Sequence, residues 1–130
     1  MDVFVYGTLT DPERADSVLD DWRFRGAARL DGLRRVDGEY PTLAPGGSVE
    51  GRLLRTPEVD ALDRYEGVDR GLYVRISVPR ADGNGNVETY VGDADALGVA
   101  GSWPGEGTLG ERARRHVREA GVVVVDTNPD

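Results

Sequence analysis

Apolar residues fill positions 3–5, and the run breaks at Tyr6-Gly7-Thr8-Leu9. This pattern predicts a short strand that ends abruptly in a glycine turn. Such a strand leaves main-chain N–H groups without sheet partners, and those groups bind anions or polarised carbonyl oxygens. Asp11-Pro12 then offers a helix cap with proline at the first helical position. Ala15, Val18 and Leu19 supply the apolar stripe of a short amphipathic helix. Residues 27–36 read as a weakly patterned strand. Tyr40-Pro41-Thr42-Leu43 before Pro45-Gly46-Gly47 reads as a strand turning tightly into another over residues 49–54.

Thr56-Pro57 repeats the cap-plus-proline device, and Val59, Leu62 and Tyr65 follow at intervals of three, predicting a second helix that Gly67 terminates. Glu66 therefore falls in its last turn. Over 72–80 the alternation puts Leu72, Val74, Ile76 and Val78 on one face of a strand and Tyr73, Arg75 and Ser77 on the other. Asp82-Gly83-Asn84-Gly85-Asn86 has hairpin composition, so residues 87–91 return as the paired strand. The glycine-rich stretch through Trp103-Pro104-Gly105 has no period and reads as an ordered loop. Thr108 and Glu111 form a capping box, with Leu109, Ala113, Val117 and Ala120 on one helical face and Gly121 closing the helix. The valine run over 122–125 is a buried strand or an association surface. Strands outnumber helices and alternate in places, which favours an α+β fold with a mixed or antiparallel sheet over a doubly wound parallel one.

Turn residues are spread evenly and no linker interrupts the chain, so residues 1–130 read as one domain with room for a respectable core. The absence of cysteine excludes disulfides, thiolate metal sites and thiol nucleophiles. No segment has the length and apolarity of a membrane span, and strand-like sequence begins at once, which points to a cytoplasmic soluble protein. The net charge of −8, with arginine as the only strong base and no lysine, disfavours nucleic acid and anionic membrane as partners. It is also the surface of a protein adapted to high salt, where screening relieves self-repulsion.

The segments described resemble the gamma-glutamylcyclotransferase-like superfamily, and within it the AIG2-like and gamma-glutamylamine cyclotransferase group. The resembling residues are 3–9, Tyr40-Pro41 with Pro45-Gly46-Gly47, Val49-Glu50-Gly51, the Leu-Asp-Arg-Tyr-Glu-Gly run over 62–67, and Tyr73-Val74-Arg75. They occur in the family's order. The resemblance implies an α+β fold in which a mixed, mostly antiparallel sheet curls into a small barrel with a few flanking helices and a cavity at one end. It implies a single essential catalytic glutamate, Glu66, across from a substrate-binding loop of Tyr6, Gly7, Thr8 and Leu9. The implied activity releases the amine from a γ-glutamyl amine or γ-glutamyl amino acid and closes the glutamyl part to 5-oxoproline. It uses no cofactor, no metal and no covalent intermediate.

These residue types suit that chemistry. The substrate's own α-amine attacks its γ-carbonyl, so the chain supplies no nucleophile. It must supply a proton shuttle and donors for the developing oxyanion. A carboxylate at a helix C-terminus, if partly buried, has its pKa raised by the dipole and by desolvation. The loop N–H groups suit either the oxyanion or the substrate α-carboxylate. Tyr73 either hydrogen-bonds a substrate carboxylate or is satisfied by backbone, Tyr40 is a weaker candidate, and Arg75 is expected to pair with acids. His116 reads as a solvated helix residue. A noncatalytic member of the fold, binding a small molecule or a protein, is the alternative, and a larger acyl substrate is a third. Oligomeric state is open.

The charge pattern carries its own prediction. Thermal unfolding followed across a KCl series is expected to move to higher temperature as salt reaches molar levels, whereas a melting point indifferent to salt would contradict adaptation to brine.

Overall fold

The structure is a computed structural model and describes residues 1–99 and 103–127. Six strands, β1 (Asp2–Val5), β2 (Arg23–Val36), β3 (Thr42–Arg55), β4 (Tyr73–Pro79), β5 (Asn86–Gly92) and β6 (Val123–Asp126), form one sheet in the order β4-β5-β1-β3-β2-β6. β1 runs parallel to β5, and the other neighbours are antiparallel. The sheet curls until its two edge strands touch: Arg80 bridges to Val124, and the Ala81 N–H donates to the Val124 carbonyl at 2.9 Å. This is the mixed, mostly antiparallel curled sheet of an α+β fold.

Among the described residues four α-helices flank it: α1 (Pro12–Val18), α2 (Val59–Glu66), α3 (Ala94–Leu97) and α4 (Leu109–Ala120). The pleat of β1 separates two cores. Phe4, with Leu30, Leu53, Ile76 and Val78, packs on the side of α4, against its Ala113 and Val117. Val3 and Val5 pack on the other side with Leu9, Ala15, Leu19 and Leu62, from the segments around α1 and α2. Among the described residues no helix is long and apolar enough to cross a membrane.

The predicted caps of α1 and α4 form as expected. Asp11 accepts the Glu13 N–H, and Thr108 and Glu111 make the reciprocal capping box before Gly121 ends α4 in the left-handed region. The hairpin over β4 and β5 closes through the Arg80 N–H donating to the Gly85 carbonyl, and the valine run is a strand, with Val122 and Val124 buried.

Several expectations are corrected. Pro45-Gly46-Gly47 does not turn the chain. It lies inside one fourteen-residue strand, β3, where Asp31 faces Ser48 and Leu33 faces Pro45, so that Gly32 opposes Gly46 and Gly47 in a bulge. All three glycines have positive φ, so the ladder bends there without breaking, and the reversal falls instead on residues 37–41. β2 begins four residues earlier than the weak pattern suggested, through a second irregularity between Phe24 and Gly26. Leu72 lies before β4 and packs with Tyr73 in the α1/α2 core rather than with Val74, Ile76 and Val78. Ala120 is exposed, and α3 was not foreseen within the glycine-rich stretch. His116 is half-buried, edge-on to Trp103 at 5.6 Å between ring centroids, because Trp103 folds back over α4.

Gly51 shows how tightly β3 and β1 approach. A Cβ there would strike the Val5 carbonyl and come within 2.8 Å of the Phe4 ring. Gly51→Ala is expected to destabilise the fold by about 1–3 kcal/mol, read as a lower urea midpoint; an unchanged midpoint would mean that β1 and β3 can part at no cost.

Candidate active site

The polar wall of the site begins where β1 ends. Tyr6 is buried, and its hydroxyl donates to the Tyr90 carbonyl at 2.6 Å. Its own carbonyl accepts from Arg35 Nη1 at 2.6 Å. Gly7 then opens a single 3-10 turn, Thr8–Thr10, in which the Gly7 carbonyl accepts both the Thr10 N–H and the Thr10 hydroxyl. Thr8 and Leu9 lead that turn, so their N–H groups have no earlier carbonyl of the turn to donate to. The Leu9 side chain is buried in the α1/α2 core and pins the turn from below. At Gly7 a Cβ would stand 3.2 Å from Pro41 Cγ, a contact that would crowd the turn against the β2–β3 reversal.

α2 carries the opposite wall. Its cap is Glu58 and not Thr56 as the sequence pattern suggested. Thr56 is fully buried and spends its hydroxyl on the Asp21 carbonyl at 2.6 Å while accepting the Glu58 N–H, so the helix starts later. Gly67 ends it at φ 72°, as expected, which makes Glu66 the last helical residue. One turn earlier, Asp63 accepts from Tyr90 Oη at 2.7 Å and from Arg75 Nε at 3.1 Å, and Arg75 also binds Glu88. Arg75 is thus the ion-pairing residue it was expected to be.

Between the two walls lies a cavity of about 640 Å³, within the usual size for a small-molecule site. Tyr6, Gly7, Thr8, Leu9, Glu66 and Tyr73 all line it. The Glu66 carboxylate makes no hydrogen bond to any described residue, and burial pushes its pKa up from the ordinary 4.5 to about 7. Burial is one of the two causes expected from the sequence for a raised pKa at this position. Burial, with the nearby Glu66 charge second, also raises Tyr6 and Tyr73, and Tyr90 is raised by burial and by its bond to Asp63. All three phenols stay protonated. Tyr73 donates to the Pro41 carbonyl at 2.7 Å, so of the two roles open to it the backbone one is realised, and its oxygen faces the cavity as an acceptor.

Residues the sequence did not single out complete the lining. Tyr65, counted there as an apolar helix position, bonds Thr8 Oγ1 through its hydroxyl at 2.7 Å and links the walls directly. Tyr90 arrives from β5, Ala96 and Leu97 from α3, and Arg14 and Arg70 from exposed positions beside α2. The only advance signal was Tyr65's place next to Glu66. Tyr40, exposed, sits at the rim with Glu39.

A family model described as gamma-glutamyl cyclotransferase, AIG2-like, matches residues 3–104. The chain belongs to that family. It is 33% identical to AIG2-like protein A of Arabidopsis thaliana over 81 residues, which are 58% of this chain and 49% of that protein, so it spans about half the length of this curated relative. Among solved structures, one of an Arabidopsis thaliana protein in solution is 30% identical, with a TM-score of 0.54 over 92% of this chain and 84% of that one. A structure of a gamma-glutamyl cyclotransferase, at 17% identity, has a TM-score of 0.60 over 92% and 98% of the two chains and shares the fold.

The position of Glu66 has a thermodynamic consequence. Its folded pKa of about 7 exceeds the ordinary 4.5, so the folded state binds more protons in that interval, and stability falls as pH rises through it. The loss is on the order of 3–4 kcal/mol over that interval, at about 1.4 kcal/mol per pH unit. Glu66→Gln buries no charge, so its stability relative to the parent is expected to rise between about pH 4 and about pH 8 in urea unfolding. Parallel curves for the two proteins would contradict a buried titration.

Proposed function

We propose that the chain is a gamma-glutamylcyclotransferase acting on a γ-glutamyl amine or γ-glutamyl amino acid. The family and the fold suit an enzyme of cyclotransferase type, and the observation that carries the finer reading is Glu66: an unpaired carboxylate, near-neutral in pKa, on the same cavity as the 3-10 turn.

In this reading the substrate α-amine adds to its own γ-carbonyl, forming the new C–N bond of a five-membered lactam. Holding the glutamyl chain folded makes that attack intramolecular and supplies much of the rate. Glu66 takes the proton that the attacking nitrogen releases. As the tetrahedral centre collapses, the old C–N bond breaks, Glu66 returns a proton to the leaving nitrogen, and 5-oxoproline and a free amine result. A carboxylate of pKa about 7 is matched to both halves of this exchange near neutral pH. The N–H groups of Gly7, Thr8 and Leu9 receive the developing oxyanion or the α-carboxylate. The hydroxyl oxygens of Tyr6 and Tyr73 have their protons committed to backbone carbonyls, so they accept from the substrate α-nitrogen.

Glu66→Gln keeps the side-chain shape and removes the proton transfer. It is expected to lower kcat for 5-oxoproline formation by about 10²–10⁴ with an unchanged circular dichroism spectrum; turnover at the parent rate would end the proposal. In the parent, kcat/KM is expected to rise with pH through about 7, where free Glu66 loses its proton.

A further inference from the structure

The residues Tyr65-Glu66-Gly67 are bracketed by two guanidinium groups. Arg14, from α1, lies with Nη1 3.4 Å from the Tyr65 hydroxyl, which itself bonds Thr8. Arg70 folds back over Gly67, where a Cβ would meet its Nη2 at 2.9 Å and its Nε at 3.3 Å. Both line the cavity and both are exposed at its rim. Neither makes an ion pair with a carboxylate among the described residues. Against them the rim sets a single acid, Glu39. In a chain of net charge −8, this rim is a local reversal of sign.

We infer that Arg14 and Arg70 receive a carboxylate carried by the leaving amine, so that the preferred substrate is a γ-glutamyl amino acid or short γ-glutamyl peptide rather than a γ-glutamyl alkylamine. This rests on the cyclotransferase reading. The glutamyl half of such a substrate is already provided for, its α-nitrogen facing Glu66 and the tyrosine oxygens and its carbonyl facing the 3-10 turn. The part left over is the leaving group, which must extend toward the open rim where the guanidinium groups stand. Arg14 reaches the site from α1 through Tyr65, and Arg70 from just beyond Gly67, so the two guanidinium groups flank the mouth that such a substituent would occupy. Arginine forks bind carboxylates through paired charge-assisted hydrogen bonds and keep part of that strength at a half-open site.

The test compares γ-glutamylalanine with γ-glutamylethylamine, which differ only by the leaving-group carboxylate. The parent is expected to favour γ-glutamylalanine in kcat/KM by about tenfold or more, and Arg14→Gln and Arg70→Gln are each expected to cut that ratio several-fold. A parent that handles both compounds equally, or variants that slow both alike and leave the ratio intact, would overturn the inference. The second result would place the guanidinium groups on the glutamyl half. If neither compound yields 5-oxoproline, the cyclotransferase reading fails, and calorimetric binding of the same two compounds decides the inference. Tighter binding of γ-glutamylalanine that both substitutions erase would uphold it, and equal dissociation constants would overturn it.

Discussion

β1 has partners on both edges and cover on both faces, and the position of everything chemical follows from that. β3 holds one side of it and β5 the other, while Val3 and Val5 face the α1/α2 core and Phe4 faces α4. A one-residue slip would exchange these two sets and lose both cores at once, so the register is firmly specified. Because β1 cannot slide, Tyr6 leaves the sheet at a defined point. The main chain beyond it must turn where Leu9 can still be buried. The free N–H groups of the turn are thus placed by hydrophobic packing several residues away.

The opposite wall solves a harder problem, since a carboxylate without a partner resists burial. Glu66 is held in place by what surrounds it on α2. Leu62 is fully buried, Asp63 is tied to Tyr90 and, through Arg75, to the hairpin of β4 and β5, and the left-handed Gly67 turns the chain back at once. The network takes the acid that can be satisfied and leaves unsatisfied the one a turn later. Strain of this kind collects where a site needs a group poised between two protonation states. The same desolvation that weakens the fold as pH rises toward neutrality raises the Glu66 pKa to about 7.

Charge is arranged on a second scale. Exposed pairs such as Arg29–Asp31 and Arg35–Asp37 contribute little in water. The bridge from Arg75 to Asp63 and Glu88 is less solvated and locks a helix to a hairpin. At the cavity rim Arg14 and Arg70 form no ion pair among the described residues, so the same residue type serves the surface, the scaffold and the mouth of the site according to what the fold places beside it.

Local signals were enough for much of this. The glycine ending the first strand, the caps at Asp11 and Thr108, the stop at Gly67 and the alternation around Ile76 are interactions within a few residues, and the sequence alone determined them. Glu66 and the Tyr-Gly-Thr-Leu turn could be paired in advance only through resemblance, because nothing local says that residue 66 faces residue 7. Long-range pairing alone decided the rest. Pro45-Gly46-Gly47 has the composition of a turn, yet opposite Gly32 it becomes a bulge, because the unbroken ladder with β2 binds more main-chain groups than a hairpin would. Thr56 looks like a cap, but a distant carbonyl claims its hydroxyl. Tyr65, Tyr90, Arg14 and Arg70 meet at one cavity only when the sheet curls, since their environment is made by segments far apart in the chain.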